Sequence, residues 1–123
     1  MTGATGGCHC GKVRFAMATA PVEATRCTCS ICTKMGSLCT YCLPGDFRVT
    51  AGEDALSIYS WGDQMLDFRF CSICSCMVHW RVKPERFVDA FGDGPGKVGV
   101  NARLLDGFVE GALRVRVFEG NTG

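Results

Sequence analysis

Ten cysteines occur in this chain of 123 residues, and eight of them fall into three tight clusters. Cysteines so close in sequence do not readily pair with each other as disulfides. A zinc ion, by contrast, binds thiolates at about 2.3 Å in a tetrahedron, so its sulfur ligands lie roughly 3.8 Å apart. The spacing predicts zinc sites, with a disulfide scaffold as the alternative. The clusters are Cys8-His9-Cys10, Cys27-Thr28-Cys29-Ser30-Ile31-Cys32 and Cys71-Ser72-Ile73-Cys74-Ser75-Cys76.

The first and third clusters together supply four ligands, which are Cys8, Cys10, Cys71 and Cys74. Four thiolates leave no open position on a tetrahedral ion, so this zinc is predicted to be structural. Its binding would contribute to folding, because the unfolded chain holds no preformed site. The alternative is two unrelated pairs of buried free thiols.

The middle cluster offers only three thiolates, from Cys27, Cys29 and Cys32. Three protein ligands with one open position are typical of a catalytic zinc. We therefore expect a second zinc ion here, more easily lost than the first. Lys34 follows closely and is either a cation that helps an anionic ligand to bind or a solvated loop residue.

Other side chains are available as an internal fourth ligand. Cys39 and Cys42 lie in an apolar, strand-like stretch, which favours packing over ligation. Cys76 is either a spare thiol near the structural zinc or a core residue. His9 is expected to point away from the metal, and His79 is expected to be a residue of a β-sheet.

The composition indicates one folded domain spanning residues 1–123. Hydrophobic residues make up 47% of the chain, and the net charge of +1 predicts neither a nucleic-acid nor a membrane partner. No apolar run approaches the ~20 residues that span a bilayer. The first seven residues lack the features of a secretory signal. A reducing cytoplasmic location is therefore expected, where clustered thiols are more often metal ligands than disulfides.

Short alternating segments and many glycines predict a mainly β protein. One short turn of helix is expected at Pro84–Phe87, and the cysteine clusters are expected at strand ends and in loops. The predicted strands are Lys12–Met17, Val22–Arg26, Leu38–Leu43, Phe47–Thr50, Leu56–Trp61, Leu66–Phe70, Met77–Val82, Phe87–Phe91, Val98–Leu104 and Leu113–Phe118.

Four stretches that run through nearly the whole chain resemble the glutathione-dependent formaldehyde-activating family, which includes the core domain of centromere protein V. They are Gly6-Gly7-Cys8-His9-Cys10-Gly11-Lys12-Val13-Arg14-Phe15, Cys27-Thr28-Cys29-Ser30-Ile31-Cys32-Thr33-Lys34, Phe70-Cys71-Ser72-Ile73-Cys74 and Val100-Asn101-Ala102-Arg103-Leu104-Leu105-Asp106-Gly107.

The resemblance implies a β-tent fold, in which two packed antiparallel sheets are pinned by zinc knuckles. It also implies the same division of the cysteines between a structural and a second zinc. The chain departs from the family where Ser75 replaces the usual glycine, and Cys39, Cys42 and Cys76 are extra cysteines.

The activity implied by the resemblance is that of a carbon–sulfur lyase, which joins glutathione to formaldehyde as S-hydroxymethylglutathione. A small thiol such as glutathione is the expected partner, and no acid–base residue can be named. The alternatives are a non-catalytic zinc-stabilised binding module and a thiol-based redox or metal sensor. Residues available to contact the substrate are Lys12, Arg14, Lys34, Arg69, Arg81, Asn101 and Arg103.

Overall fold

The computed structural model describes residues 3–28, 30–60, 66–82, 97–109 and 111–118. Within them lie ten short β-strands and one short α-helix, so the predicted mainly β fold is confirmed. None of the helices in these ranges is long and apolar enough to cross a membrane. The elements are β1 (Ala4–Gly7), β2 (Arg14–Met17), β3 (Glu23–Cys27), α1 (Ser30–Met35), β4 (Cys39–Cys42), β5 (Phe47–Ala51), β6 (Leu56–Tyr59), β7 (Leu66–Cys71), β8 (Met77–Val82), β9 (Val98–Asn101) and β10 (Arg114–Phe118).

The strands form the two sheets that the β-tent implies. A three-stranded sheet has the order β1-β2-β5, and a seven-stranded sheet has the order β10-β3-β4-β9-β8-β7-β6. The main core combines Phe15 and Met17 of the small sheet with Val78, Val98 and Val100 of the large one. Alternation along β2 and β9 supplies these apolar side chains to the space between the sheets.

One strand pair differs from the antiparallel arrangement that was expected. β10 pairs in parallel with β3, and Arg116 lies level with Thr25. The segment before β10 places Leu105, Phe108 and Leu113 over a second small core formed by Ala24, Leu38 and Ala102. Burying these residues brings the chain back to the β3 edge in the same direction as β3, so the last pairing is parallel.

Several predicted boundaries also need correction. β1 was not predicted, because Ala4-Thr5-Gly6-Gly7 has no apolar alternation. The strand predicted at Val98–Leu104 ends at Asn101, whose side chain accepts a hydrogen bond from the backbone N–H of Arg103 and begins a turn of 3-10 helix. β2 begins two residues later than predicted, and β6 ends at Tyr59. The predicted Pro84–Phe87 turn and Phe87–Phe91 strand lie outside the described residues.

Candidate metal centre and second cysteine cluster

The sulfur atoms of Cys8, Cys10, Cys71 and Cys74 all lie within 4.8 Å of one another. The Cys8 and Cys10 sulfurs are 3.6 Å apart, and those of Cys10 and Cys71 are 3.7 Å apart. These separations match the roughly 3.8 Å between thiolates on a tetrahedral zinc ion. The four residues identified by ligand counting therefore converge in a geometry that could hold a metal ion.

A tight turn after β1 presents the first two thiols. The Cys8 backbone N–H donates to the Val13 carbonyl at 3.0 Å, and the Gly11 N–H donates to the Cys8 carbonyl at 3.1 Å. Gly11 has a φ of +82°, a conformation that costs glycine little. The glycine after Cys10 therefore closes the loop and directs both sulfurs to one side.

A second turn, between β7 and β8, presents the other two thiols. The Ser75 N–H donates to the Cys71 carbonyl at 2.8 Å, and the Cys71 N–H donates to the Cys76 carbonyl at 2.9 Å. Ser75 has a φ of +69°, so it occupies the left-handed region. This conformation explains the glycine usual at this position in the resembling family, and a serine here is strained.

The turns stabilise negative charge on some of the sulfurs but not on Cys10. The backbone N–H of Lys12 favours the Cys10 thiolate, but desolvation and hydrogen bonds with the other three thiols outweigh it and raise the pKa of Cys10 to about 12. The backbone N–H groups of Val13 and Ile73 donate to the sulfurs of Cys8 and Cys71 at 3.3 and 3.4 Å. Burial opposes ionisation of Cys8, but its hydrogen bonds outweigh burial and lower its pKa. The backbone N–H of Cys76 lowers the pKa of Cys74 to about 5. Thiolate stabilisation of this kind is what metal binding requires.

Two neighbouring side chains lie outside this four-sulfur group. His9 is exposed between two of the cysteines, as expected for a side chain that points away. Cys76 is half-buried and packs against the main core, and burial is the largest cause of its raised pKa. Cys76 therefore combines the two roles considered for it, a core residue and a thiol beside the metal centre.

The second cluster is built differently. Cys27 ends β3 and Cys32 lies in α1, whereas Cys29 lies outside the described residues. The prediction that this cluster occupies strand ends and loops is wrong for Cys32, which lies in a helix. The six residues of α1 are too few to show a helical period in the sequence. Among the described residues, the group of Cys8, Cys10, Cys71 and Cys74 is the only one with three or more metal-ligating side chains close together. The three-thiolate zinc site thus stays a prediction.

Tyr41 connects this cluster to the large sheet. Thr25 pairs directly with Cys39, so Thr25, Cys27, Cys39 and Tyr41 share one face of β3 and β4. Burial and then charge on Cys39 raise the pKa of Tyr41, and charge on Cys27 and Cys32 adds to the effect. Cys27 and Cys32 therefore lie near enough to Tyr41 for negative charge on their sulfurs to act on its hydroxyl group. Sequence reasoning missed Tyr41, although its spacing from Cys39 would have placed both on one face.

Three of the six basic residues considered for substrate contact have structural partners among the described residues. The Arg14 guanidinium forms a two-pronged salt bridge with Asp106. Arg69 lies beside Asp67, and the Arg103 side chain donates to the carbonyl of Gly36, just after α1. Lys34 is exposed in the last turn of α1.

Asn101 is buried within the large sheet. Its side-chain amide donates to the Met77 carbonyl at 2.9 Å, and its side-chain oxygen accepts from the Arg103 N–H at 3.2 Å. The first contact holds β9 against β8, and the second caps the turn of 3-10 helix that follows β9. Asn101 is therefore an ordinary strand position rather than a pocket residue.

The remaining thiols and His79 belong to the sheet. Cys39 is buried on β4, and burial raises the pKa of the half-buried Cys42 to about 11. His79 is buried on β8 with its ring centroid 4.6 Å from that of Phe47. Within the described part of the chain, neither ring nitrogen of His79 has a hydrogen-bond partner. His79 is thus a sheet residue, as predicted.

Comparisons with known proteins identify the family and a solved structure with a similar fold. A family model described as glutathione-dependent formaldehyde-activating enzyme matches residues 3–104. The chain is also similar to the crystal structure of a Rhodobacter sphaeroides protein, at 26% sequence identity and a TM-score of 0.72. That similarity covers 91% of this chain and 99% of the other. The family match includes all three cysteine clusters but ends before β10.

Proposed function

Because the chain belongs to the glutathione-dependent formaldehyde-activating enzyme family, we propose that it is a zinc-dependent carbon–sulfur lyase acting on the thiol adduct of a small carbonyl compound. The thiol is glutathione or a close analogue, and the reaction resembles S-hydroxymethylglutathione synthesis. The observation that carries this proposal is that Cys27 and Cys32 are both partly exposed and lie near Tyr41, outside the closed group of four converging sulfurs.

In this proposal the two metal centres have different roles. Cys8, Cys10, Cys71 and Cys74 hold a structural zinc ion, since their sulfurs leave no open position. Cys27, Cys29 and Cys32 hold a second zinc ion. The partly buried positions of Cys27 and Cys32 suit a labile ion that a substrate can reach.

A second zinc ion, when bound, would lower the pKa of a thiol that enters its open position and so ionise it. The substrate sulfur, having lost its proton to water, would attack the carbonyl carbon. A carbon–sulfur bond forms as the carbonyl π bond breaks, and the oxygen takes a proton from water to give the hydroxymethyl adduct, so that no net proton is consumed. Cys27 and Cys32 would hold the substrate sulfur near Tyr41. Lys34 stays a candidate for stabilising the negative charge of this centre.

The test is to replace one ligand of each kind. Cys32→Ser should abolish adduct formation from glutathione and formaldehyde, and should lower the zinc content from two ions per chain to one, while the protein stays folded. Thr33→Ala, the adjacent exposed position of α1, is the matched control and should retain both properties. A wild-type protein with a single zinc ion, or a Cys32→Ser variant with full adduct formation, would contradict the proposal.

A further inference from the structure

A cleft opens where β3 and β4 diverge. These strands share a single register pair, Thr25 with Cys39, and beyond it they separate. The cavity between them has a volume of about 480 Å³, within the ~300–1,000 Å³ typical of small-molecule sites. Its wall includes Thr25, Cys39 and Tyr41, so it is continuous with the face that carries the second cysteine cluster.

An ion pair lies on the wall of this cleft. Arg116 on β10 and Glu23 on β3 approach to 3.6 Å between the guanidinium Nε and the carboxylate Oε1. Both side chains are partly exposed, at 65% and 39%, so each retains capacity for another partner. Asp46 also lines the cleft and adds a second carboxylate. The wall therefore presents both signs of charge to anything bound in the cavity.

Neighbouring charges of opposite sign suit a zwitterion. The end of an α-amino acid carries an ammonium and a carboxylate on one carbon atom. The planar guanidinium of Arg116 can pair with the carboxylate through two N–H groups. Glu23 and Asp46 can pair with the ammonium.

The position of the pair along the strands sets the length of the ligand. Arg116 lies level with Thr25, so it is two residues, or about 7 Å, from the level of Cys27. Glu23 lies four residues from Cys27, which is about 13 Å. An amino-acid end in the cleft is thus about 7–13 Å from a sulfur held by Cys27.

This length separates two classes of thiol. In a γ-glutamyl thiol such as glutathione, seven bonds separate the α-carbon from the sulfur and span about 9 Å when extended. In free cysteine, two bonds span only about 3 Å. The first class fits between the cysteine cluster and the ion pair, and the second does not.

From this geometry we propose that the Glu23–Arg116 pair binds the zwitterionic α-amino-acid end of a γ-glutamyl thiol whose sulfur lies at the Cys27 cluster. The proposal rests on the proposed function for the position of the sulfur. It adds the contact that recognises the substrate and assigns it to β10, which lies beyond the residues that match the family. Arg116 is a specificity-determining residue in this arrangement, since it acts on the far end of the substrate.

The experiment is calorimetric binding of two thiols to the zinc-loaded protein. Glutathione carries the γ-glutamyl end, and cysteinylglycine lacks it. We expect Arg116→Gln to weaken glutathione binding about fivefold, a modest change because the side chain is partly exposed, and to leave cysteinylglycine binding unchanged. Arg116→Lys keeps the charge and should recover part of the loss. Arg114→Gln, on the same strand but outside the cleft wall, should bind both thiols as the wild type does.

The outcomes separate the two proposals. Equal glutathione affinity in wild type and Arg116→Gln would overturn the recognition contact and leave the proposed function standing. Equal weakening of both thiols would also overturn it, because the substitution would then act on the fold or the cysteine cluster. Failure of both thiols to bind the zinc-loaded wild type would overturn the contact and the proposed function together.

Discussion

The two cysteine regions of this protein use the same side chain in opposite structural settings. The four-cysteine centre joins the turn after β1 to the turn between β7 and β8, and two of its cysteines are buried. The second cluster lies where β3 gives way to α1, and both of its described cysteines are partly exposed. The difference is one of burial and convergence: four sulfurs meet in the first region, whereas the described thiols of the second are partly open to solvent.

Contacts around each region support this distinction. Backbone N–H groups donate to two sulfurs of the four-cysteine centre, and its turns are closed by further backbone hydrogen bonds. Cys27 and Cys32 are instead partly exposed and lie near Tyr41, which lines a cleft. Loss of a ligand should therefore destabilise the protein in the first region and impair substrate binding in the second.

The largest expected effect tests the structural half of this comparison. Cys71→Ser should lower the unfolding free energy by about 3–5 kcal/mol, because it removes a fully buried sulfur from the group that we propose binds the structural zinc ion. Cys39→Ser is the matched control, since Cys39 is also buried but lies outside the four-sulfur group. It should cost only about 1 kcal/mol. Urea denaturation of the zinc-loaded proteins measures both, and equal losses would remove the distinction.

A second prediction asks whether acid sensitivity belongs to the metal centre alone. Burial, then the charges of Arg69 and Arg81, lowers the pKa of His79 to about 3 in the folded protein. In the unfolded chain the pKa of His79 has its ordinary value of about 6.5, so above pH 6.5 the residue is neutral in both states and does not destabilise the fold. As the pH falls from 6.5 towards 3, the unfolded chain binds a proton that folded His79 does not, and the unfolding free energy decreases.

His79→Leu should therefore remove part of the acid destabilisation, about 2 kcal/mol between pH 6.5 and 4.5. The exposed His9→Gln variant should keep the wild-type pH dependence. Unfolding free energies measured across this pH range check the difference. If His79→Leu loses as much unfolding free energy as the wild type between pH 6.5 and 4.5, the acid destabilisation comes from other groups, including the thiolates.

A smaller effect is expected from relieving strain in the metal centre. Ser75→Gly should raise the unfolding free energy by about 0.5–1 kcal/mol, because glycine adopts the positive φ of this turn without steric cost. Ser72→Gly, in the same turn without a positive φ, should be neutral or slightly destabilising. Thermal unfolding of the zinc-loaded variants provides the measurement, and a destabilised Ser75→Gly would contradict the strain argument.

The smallest effect on stability is expected in the second region. Cys32→Ser should change the unfolding free energy by less than about 0.5 kcal/mol, since Cys32 is partly exposed on a short helix. The same variant should lose thiol binding. Denaturation and calorimetry on one preparation test both statements, and a loss of stability comparable to that of Cys71→Ser would make this second site structural as well.

Sequence reasoning was accurate where the residue types carry a strong signal, and it failed where a short segment carries none. The four-cysteine group was predicted correctly, because two short turns present pairs of thiols and a shared ion is the simplest way to satisfy them. The sheet residue His79 and the buried Cys39 were also placed correctly, since both lie in segments with apolar alternation. β1 and α1 were missed, because two glycines interrupt one and the other is too short to display a period.

Residue types and short spacings by themselves determined the mainly β class and the four cysteines that converge in a group able to hold a metal ion. Tertiary structure alone decided the parallel return of β10 and the separation of β3 from β4. These features depend on how distant segments bury Leu105, Phe108 and Leu113, and no local pattern encodes that packing. The same packing places Arg116 on the wall of the cleft beside the second cluster.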